Sequence, residues 1–363
     1  MSEMWINMGP QHPMTHGLWN LRVKVDGERI ADARAEIGYL HRGIEKIAEI
    51  KTYTEFIPLS DRFLCYASAM SWEMAYIGAV EKVMNIEIPK RASYIRVIVL
   101  ELQRIASHLM WLASWTADLG LLTMFLYAMR EREQFLDLMQ MITGGRLHYV
   151  YMRFGGVVKD LPEGFKEIAL PVLDQFEKRL RDYKHMMDES EVFILRTKGK
   201  GIWEKEYAIS MGVTGPNLRA SGVKTDLRKE TPYLSYADFD FDIATGTACD
   251  TYDRYVVRMI EMSESIKIVR EALKKLPDGD FKLFSIPRVP PRGSAIFMSE
   301  DPRGLSAAYL VSDGTLHPYR LKFRSPTYFN IQGAVPAIIV NERIADVPSI
   351  IGSIDVCLGE VDR

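Results

Sequence analysis

LMWLASWTADLGLLTMFLYAM, running from Leu109 to Met129, carries a single charge in twenty-one residues, the carboxylate of Asp118. Its reading decides the architecture, because a run of this length is enough either to cross a bilayer or to build core helices. Three features argue against a span. An aspartate near the middle of a spanning helix costs ~2.5–3.5 kcal/mol; Gly120 and Thr123 interrupt the run; and both flanks continue as amphipathic helix rather than as loop. A buried pair of core helices is therefore expected. An unpaired carboxylate in so apolar a stretch is too costly to persist, so Asp118 should have a dedicated partner, a histidine or a backbone donor.

Outward from this segment, helical patterns cover roughly 43–51, 60–84, 89–117, 121–143, 163–187 and 251–276. Pro89 is placed for a first helical turn and Gly144-Gly145 for a helix end. Both ends of the chain alternate with period two instead. Leu21 to Val25 and Arg29 to Ala35 flank the turn signal Asp26-Gly27, and Ala307 to Val311 and Arg320 to Arg324 flank Asp313-Gly314. Pro287, Pro290, Pro291 and Gly293 mark a linker before the second hairpin. The expected fold is α+β, mainly α: a β region over 1–42, a helical bundle over 43–286, and a β hairpin with a tail over 287–363.

Bulk composition narrows the function. Lys plus Arg number 46 against 48 Asp plus Glu, so no basic footprint points to nucleic acid. With a mean hydropathy of −0.08 and no second apolar run, membrane contact is expected only through a partner. Neither a signal peptide nor a disulfide framework is apparent, which suggests a reducing, cytoplasmic setting.

Candidate chemistry begins at Gly9-Pro10-Gln11-His12-Pro13-Met14-Thr15-His16-Gly17, where prolines and glycines forbid a regular helix and a stiff loop presents two of the seven histidines. The same residues also suit a tight turn whose histidines cap backbone groups. Glu101, Arg104 and His108 recur at helical spacing and read as a solvated or salt-bridged face. Gly144-Gly145 and Gly155-Gly156 bracket Arg146, His148 and Arg153, a cluster suited to an anionic cofactor or subunit, or to helix capping followed by surface cations. No GxGxxG follows a strand, and no Walker A motif, zinc spacing or nucleophile elbow is present. Three cysteines, at 65, 249 and 357, cannot supply the four thiolates of a [4Fe–4S] cluster. Electrons, if this chain handles them, come from another protein's cofactor.

Taken together, GPQHPMTHG, IGYLHRGIEKIAE (Ile37 to Glu49), IPKRASYIRVIVLELQRIASHL (Ile88 to Leu109), ADLG (Ala117 to Gly120), RFGGVVKDLP (Arg153 to Pro162), LRASGV (Leu218 to Val223), VSDG with PYRLKFRSP (Val311 to Pro326) and GSIDVCLGEVDR (Gly352 to Arg363) resemble the D-type subunits of respiratory complex I along the whole chain. That family is related to the large subunit of [NiFe] hydrogenases, which implies a long-helix bundle of that kind. The hydrogenase metal is held by two CxxC motifs. Here the corresponding places read Leu64-Cys65-Tyr66-Ala67 and Cys357-Leu358-Gly359-Glu360, by which count one of four ligands survives and no Ni–Fe centre is expected.

The resemblance implies that a quinone headgroup enters a chamber at the former metal site, held by His16 and Tyr66, with Asp118 as the acid partnering His16. Arg42 and His148 resemble the pair that sits against the terminal [4Fe–4S] cluster of a partner, the B-like iron–sulphur small subunit of complex I. C-like and I-like peripheral partners and an H-like membrane partner are implied as well, on the cytoplasmic face of the membrane, with no cofactor held by this chain. The upstream donor (NADH, reduced F420 or ferredoxin) and the acceptor (a quinone or a phenazine) are left open, and so is the alternative of a non-catalytic docking scaffold. Two departures bear on the site: the loop between Arg62 and Tyr66 holds three residues where two are expected, and Cys357 replaces a small aliphatic residue.

Overall fold

The structure, a computed structural model, describes residues 3–10 and 16–363; His12 lies outside them. Strands β1 (Met4–Met8), β2 (Asn20–Asp26) and β3 (Arg29–Glu36) form an antiparallel meander in which Met8 pairs with Leu21 and Asp26 with Arg29. Leu21, Val23 and Val25 are buried, as the alternation requires.

Helices α1 (Ile44–Ile50) and α2 (Tyr53–Phe63) follow, the second opened by a capping box between Thr52 and Glu55. The expected helix over 60–84 is broken. Cys65 is extended, Tyr66–Ser68 form a 3₁₀ turn, and α3 begins only at Ala69 and runs to Met84. No glycine or proline announces this break. Its freed carbonyls are taken up by distant residues instead: Phe63 O accepts from Arg42 Nη2 at 2.5 Å, and Leu64 O faces Cys357 Sγ at 4.0 Å.

Helix α4 (Lys90–Asp118) is the buried core helix expected from the opening segment; helix α5 (Leu122–Thr143), beyond Gly120 at φ 78°, packs on it through one face only and leaves Leu122 and Leu126 exposed, so the expected buried pair is half met. Nearly every residue of α4 is buried, its charged side chains included, which therefore need partners inside the fold. No helix among the described residues is long and apolar enough to cross a membrane. The turn β4 (Met152–Arg153) to β5 (Gly156–Val157) leads to α6 (Phe165–Asp188). Four short helices follow, α7 (Glu191–Thr197), α8 (Lys205–Ser210), α9 (Gly215–Ala220) and α10 (Leu227–Glu230), and then the long α11 (Thr251–Lys275), packed on α4.

The expected C-terminal hairpin is present as β7 (Gly304–Ser312) and β8 (Arg320–Arg324), but β6 (Gly293–Asp301) adds a third strand where only a linker was expected. The tail is largely helical. It holds α12 (Pro326–Phe329), α13 (Val335–Ile339), α14 (Val347–Gly352) and α15 (Leu358–Asp362), and Ile338 of α13, Ile350 of α14, Ile354 just beyond it and Val361 of α15 are buried in one cluster with Leu21 and Val23 of β2. The two ends of the chain thus pack together beside the helical core.

The polar face expected on α4 is salt-bridged but not solvated. Glu101 is fully buried and accepts from Arg104 Nε at 3.2 Å, Arg228 Nη1 at 3.1 Å, Tyr236 OH at 2.6 Å and Ser265 Oγ at 2.6 Å. His108 meets Glu261 at 3.1 Å, and Arg219 bridges Glu261 and Glu300. Burial holds His108 below its ordinary pKa, so it is a neutral member of the network. This array of paired charges fixes α4 against α11 and the start of the C-terminal sheet.

Candidate functional site

Asp118 is the last residue of α4, where the helix's own carbonyls already concentrate negative charge. His16 is the partner it meets there: Nε2 lies 2.6 Å from Asp118 Oδ2, with both side chains mostly shielded. The two atoms are close, but their alignment is off that of a directed N–H···O bond. His16 adopts φ 52°, and its ring is pressed from behind by Gly352, where a Cβ would stand 3.0 Å from Nε2 and 2.4 Å from Trp115. Trp111 and Trp115 fix that wall by donating to the carbonyls of Gly352 and Ser349, each at 2.8 Å.

The broken stretch between α2 and α3 supplies the opposite side. Tyr66 is 45% exposed and opens onto a cavity of about 230 Å³, lined also by His16, Arg42, Phe63, Arg303 and Cys357. Burial, reinforced by the two neighbouring thiols, raises the Tyr66 hydroxyl above its ordinary pKa and keeps it protonated. A larger groove of about 720 Å³, near Glu81 and Tyr233, gathers none of these residues.

Two residues of this site, Arg303 and Asp301, escaped sequence reasoning, and a third, Cys65, was placed at the former metal site without its pairing to Cys357. Arg303 is buried and pairs with Asp355 at 2.9 Å; burial opposes its charge, but Asp355 and the two thiols outweigh that and hold its pKa well up. Cys65 and Cys357, separated by most of the chain, meet here with Glu360. Their sulphur atoms and a Glu360 carboxylate oxygen all lie within 4.8 Å of one another, so two thiols reach this place rather than the single ligand counted from the sequence. Burial pushes the Cys65 thiol up, but the hydrogen bond with Cys357 and the Arg303 charge prevail and bring it to about 7. Burial and the Cys65 thiol raise Glu360 to about 7, and burial and Glu360 raise Asp301 to about 7. The resemblance already sets Cys65 and Cys357 at the two places where hydrogenase CxxC motifs converge; what periodicity could not show is the break before α3 and the returning tail that bring their sulphur atoms together.

The predicted set is therefore only partly gathered. His16 and Asp118 touch, while Tyr66 and Arg42 share the cavity. Arg42 donates to Leu40 O at 3.1 Å as well as to Phe63 O. His148 does not line the cavity and lies 3.7 Å from the buried Asp61. The basic cluster between the glycine pairs is not a free anion site: Arg146 is neutralised by Glu133 and Asp137 of α5, and Arg153 donates to the carbonyls of Val150 and Met152. Gly144, at φ 87°, ends α5, so capping is what this segment does.

Residues 118–289 and 280–363 match the family described as respiratory-chain NADH dehydrogenase, 49 Kd subunit. The chain is 46% identical over 362 residues to the D subunit of NADH-quinone oxidoreductase from Bacillus cereus, covering 99% of this chain and 98% of the relative. It is also 46% identical to the D subunit of the F(420)H(2) dehydrogenase of Methanosarcina mazei, over 100% and 98% of the two chains. Among solved structures it is similar to a chain of the membrane-bound sulfane sulfur reductase, an archaeal respiratory membrane complex, with a TM-score of 0.94, 34% identity, and 100% and 98% coverage. A mainly helical fold matched end to end, together with this identity over nearly the whole length, places the chain in the family of the 49 kDa, or D-type, subunits of respiratory NADH dehydrogenase and related oxidoreductase complexes.

Proposed function

We propose that the cavity between His16 and Tyr66 receives the headgroup of a membrane quinone and is where that quinone is reduced. The observation that carries this reading is the 2.6 Å contact of His16 with Asp118 beside a cavity onto which Tyr66 opens. Reduction of a quinone to a quinol adds two electrons and two protons, so each carbonyl oxygen needs a donor as its negative charge develops. The Tyr66 hydroxyl serves one oxygen. His16, held at Nε2 by Asp118, serves the other through its remaining ring nitrogen. The apolar wall of Phe63, Leu64 and Leu358 excludes water from the ring.

Electrons reach the site from an iron–sulphur small subunit that docks nearby. In this reading Arg42, with His148 farther off beside Asp61, faces the partner's terminal [4Fe–4S] cluster. The chain sits on the cytoplasmic face of the membrane through its partners: the B-like small subunit, C-like and I-like peripheral subunits, and an H-like membrane subunit. Whether NADH, reduced F420 or ferredoxin feeds the complex is decided by other subunits.

The test is Tyr66→Phe in the assembled complex. The ring and its packing remain while one donor is lost, so quinone turnover should fall about 10²–10³-fold and electron entry, measured with an artificial acceptor, should persist. Near wild-type quinone reduction would exclude Tyr66 as the donor. If no variant of His16, Tyr66 or Asp118 alters turnover, the chain is a docking scaffold and the chemistry lies elsewhere.

A further inference from the structure

Cys65 and Cys357 lie in the wall of this cavity, and nothing in the proposed quinone chemistry uses them. They approach from two extended backbone positions, each immediately before a helical turn: Cys65 at φ −147° and Cys357 at φ −133°. The two segments are pressed together at Gly359, where a Cβ would stand 2.6 Å from Leu64 O. With the sulphur atoms within 4.8 Å, side-chain rotation and a small movement of the tail bring them to the ~2.05 Å of an S–S bond. Cys357 borders the cavity and Cys65 lies behind it, 1% exposed.

Two chemistries suit a pair of buried thiols beside a carboxylate: holding a thiophilic cation, or cycling between dithiol and disulfide. Arg303 decides between them. Its guanidinium, buried and fixed on Asp355, already supplies the positive charge that thiolates need, and it repels a divalent ion from the same place. Both oxygens of Glu360 are engaged as well, one by Ser325 Oγ and Thr327 N–H, the other by Trp72 Nε1–H. The arrangement favours a thiolate over a metal.

We propose that Cys65 and Cys357 are a redox-active dithiol that closes to a disulfide across the wall of the cavity, delivering two electrons and two protons to a quinone seated there. This rests on the quinone reading above. Cys357, the thiol that borders the cavity, adds through sulphur to the quinone ring. The Cys65 thiolate then attacks the Cys357 sulphur, the S–S bond forms, and the sulphur–ring bond breaks with its electron pair passing to the ring. Two S–H bonds are lost, one S–S bond is made, and quinone leaves as quinol. Closure also ties the tail to the residue preceding Tyr66, so the oxidised pair holds the donor loop in place until electrons return. The poise of Cys65 near neutral pH is consistent with its role as the attacking thiolate.

The experiment uses the whole complex, prepared anaerobically without an electron donor and treated with a short-chain, water-soluble quinone. Thiols are then alkylated and peptides mapped without reduction. The expected result is that Cys65 and Cys357 lose alkylation together, that a peptide linking them appears, that quinol forms in equal amount, and that dithiothreitol reverses all three while Cys249 is unchanged. Cys65→Ser should abolish both the linked peptide and the quinol formed without donor. A parallel sample receives oxidised glutathione. Both thiols remaining alkylable after quinone treatment, in a complex that still reduces quinone when given its donor, overturns the dithiol while leaving the chamber intact. Closure by glutathione without closure by quinone overturns the coupling to quinone, and thiols that become reactive only after a chelator removes a bound metal overturn the redox reading in favour of a cation site.

Discussion

Asp118 shows how far a single residue can be read from its surroundings. Its placement in the most apolar run of the chain demanded a partner, and the chain folds the turn that precedes β2 back over the end of α4 to provide His16. Replacing Asp118 by Asn keeps the size and removes the charge. Quinone turnover should fall less than in Tyr66→Phe, because the variant loosens the orientation of His16 and leaves both donors to the quinone in place. A loss as deep as that of Tyr66→Phe would show that Asp118 does more than position His16. Glu101 is a different kind of buried carboxylate. Burial pushes it towards neutrality, but Arg104 and Arg228 prevail and hold its pKa down. Removing it takes the paired carboxylate from the buried Arg104 and leaves Arg228 with Asp226 alone, so Glu101→Ala should destabilise the fold by ~3–5 kcal/mol, read as a lower denaturant midpoint with little change in m-value. From the sequence, the spacing of Glu101, Arg104 and His108 was visible but their burial was not, since the partners at 219, 228, 261 and 300 come from other parts of the chain.

Among the elements, those whose ends are written locally were legible. The β2–β3 hairpin follows from alternation and Asp26-Gly27, α4 starts behind Pro89 and its run ends before Gly120, and β7 and β8 flank the turn segment at Asp313-Gly314. The break between α2 and α3 was not legible, because its stop signal is tertiary. Arg42 and the tail, rather than a glycine or a proline, receive the freed carbonyls. That same break sets Tyr66 on the cavity and Cys65 behind its wall, so the meeting of Cys65 with Cys357 and the break in the helix were hidden together. Gly359 keys the tail into it. Gly359→Ala sets a methyl 2.6 Å from Leu64 O, where backbone on both sides cannot yield cheaply; the expected cost is ~1–3 kcal/mol. Quinone turnover should drop along with the stability, whereas alanine at Gly38, which has no heavy atom within 4 Å but lies at φ 112°, should lower stability through backbone strain and leave turnover nearly intact. Equal losses of turnover in the two variants would deny the tail a specific role in shaping the cavity.

At the scale of the whole molecule, the helical core and the tail that returns to it bury carboxyl groups whose pKa values depart in opposite directions. Glu73, fully buried, is raised by burial and by Asp61 to about 8. Folded, it keeps a proton that the unfolded chain releases near 4.5, so the native state binds more protons than the unfolded state between those values and stability declines as pH rises through that window. Glu360 and Asp301, both near 7, add to the same slope. Asp226 runs the other way: burial raises it, but Arg228 and Arg219 overcome that and hold it at about 2. Its contribution is present above the ordinary aspartate value of 3.8 and disappears as pH falls towards 2. Stability should therefore be greatest in mildly acidic solution, with Tm lower at pH 8 than at pH 5.5. Glu73→Gln preserves the shape and can still accept an N–H from Tyr151 or Met152, which the glutamate now does at 3.1 and 2.8 Å, but it cannot ionise. In thermal unfolding followed across that range, the variant should show a visibly shallower decline than the wild type. A wild-type Tm that rises from pH 5.5 to 8, or a variant with an unchanged slope, would mean that Glu73 is ionised in the folded protein and that Arg153, whose charge favours the ionised form, outweighs its burial.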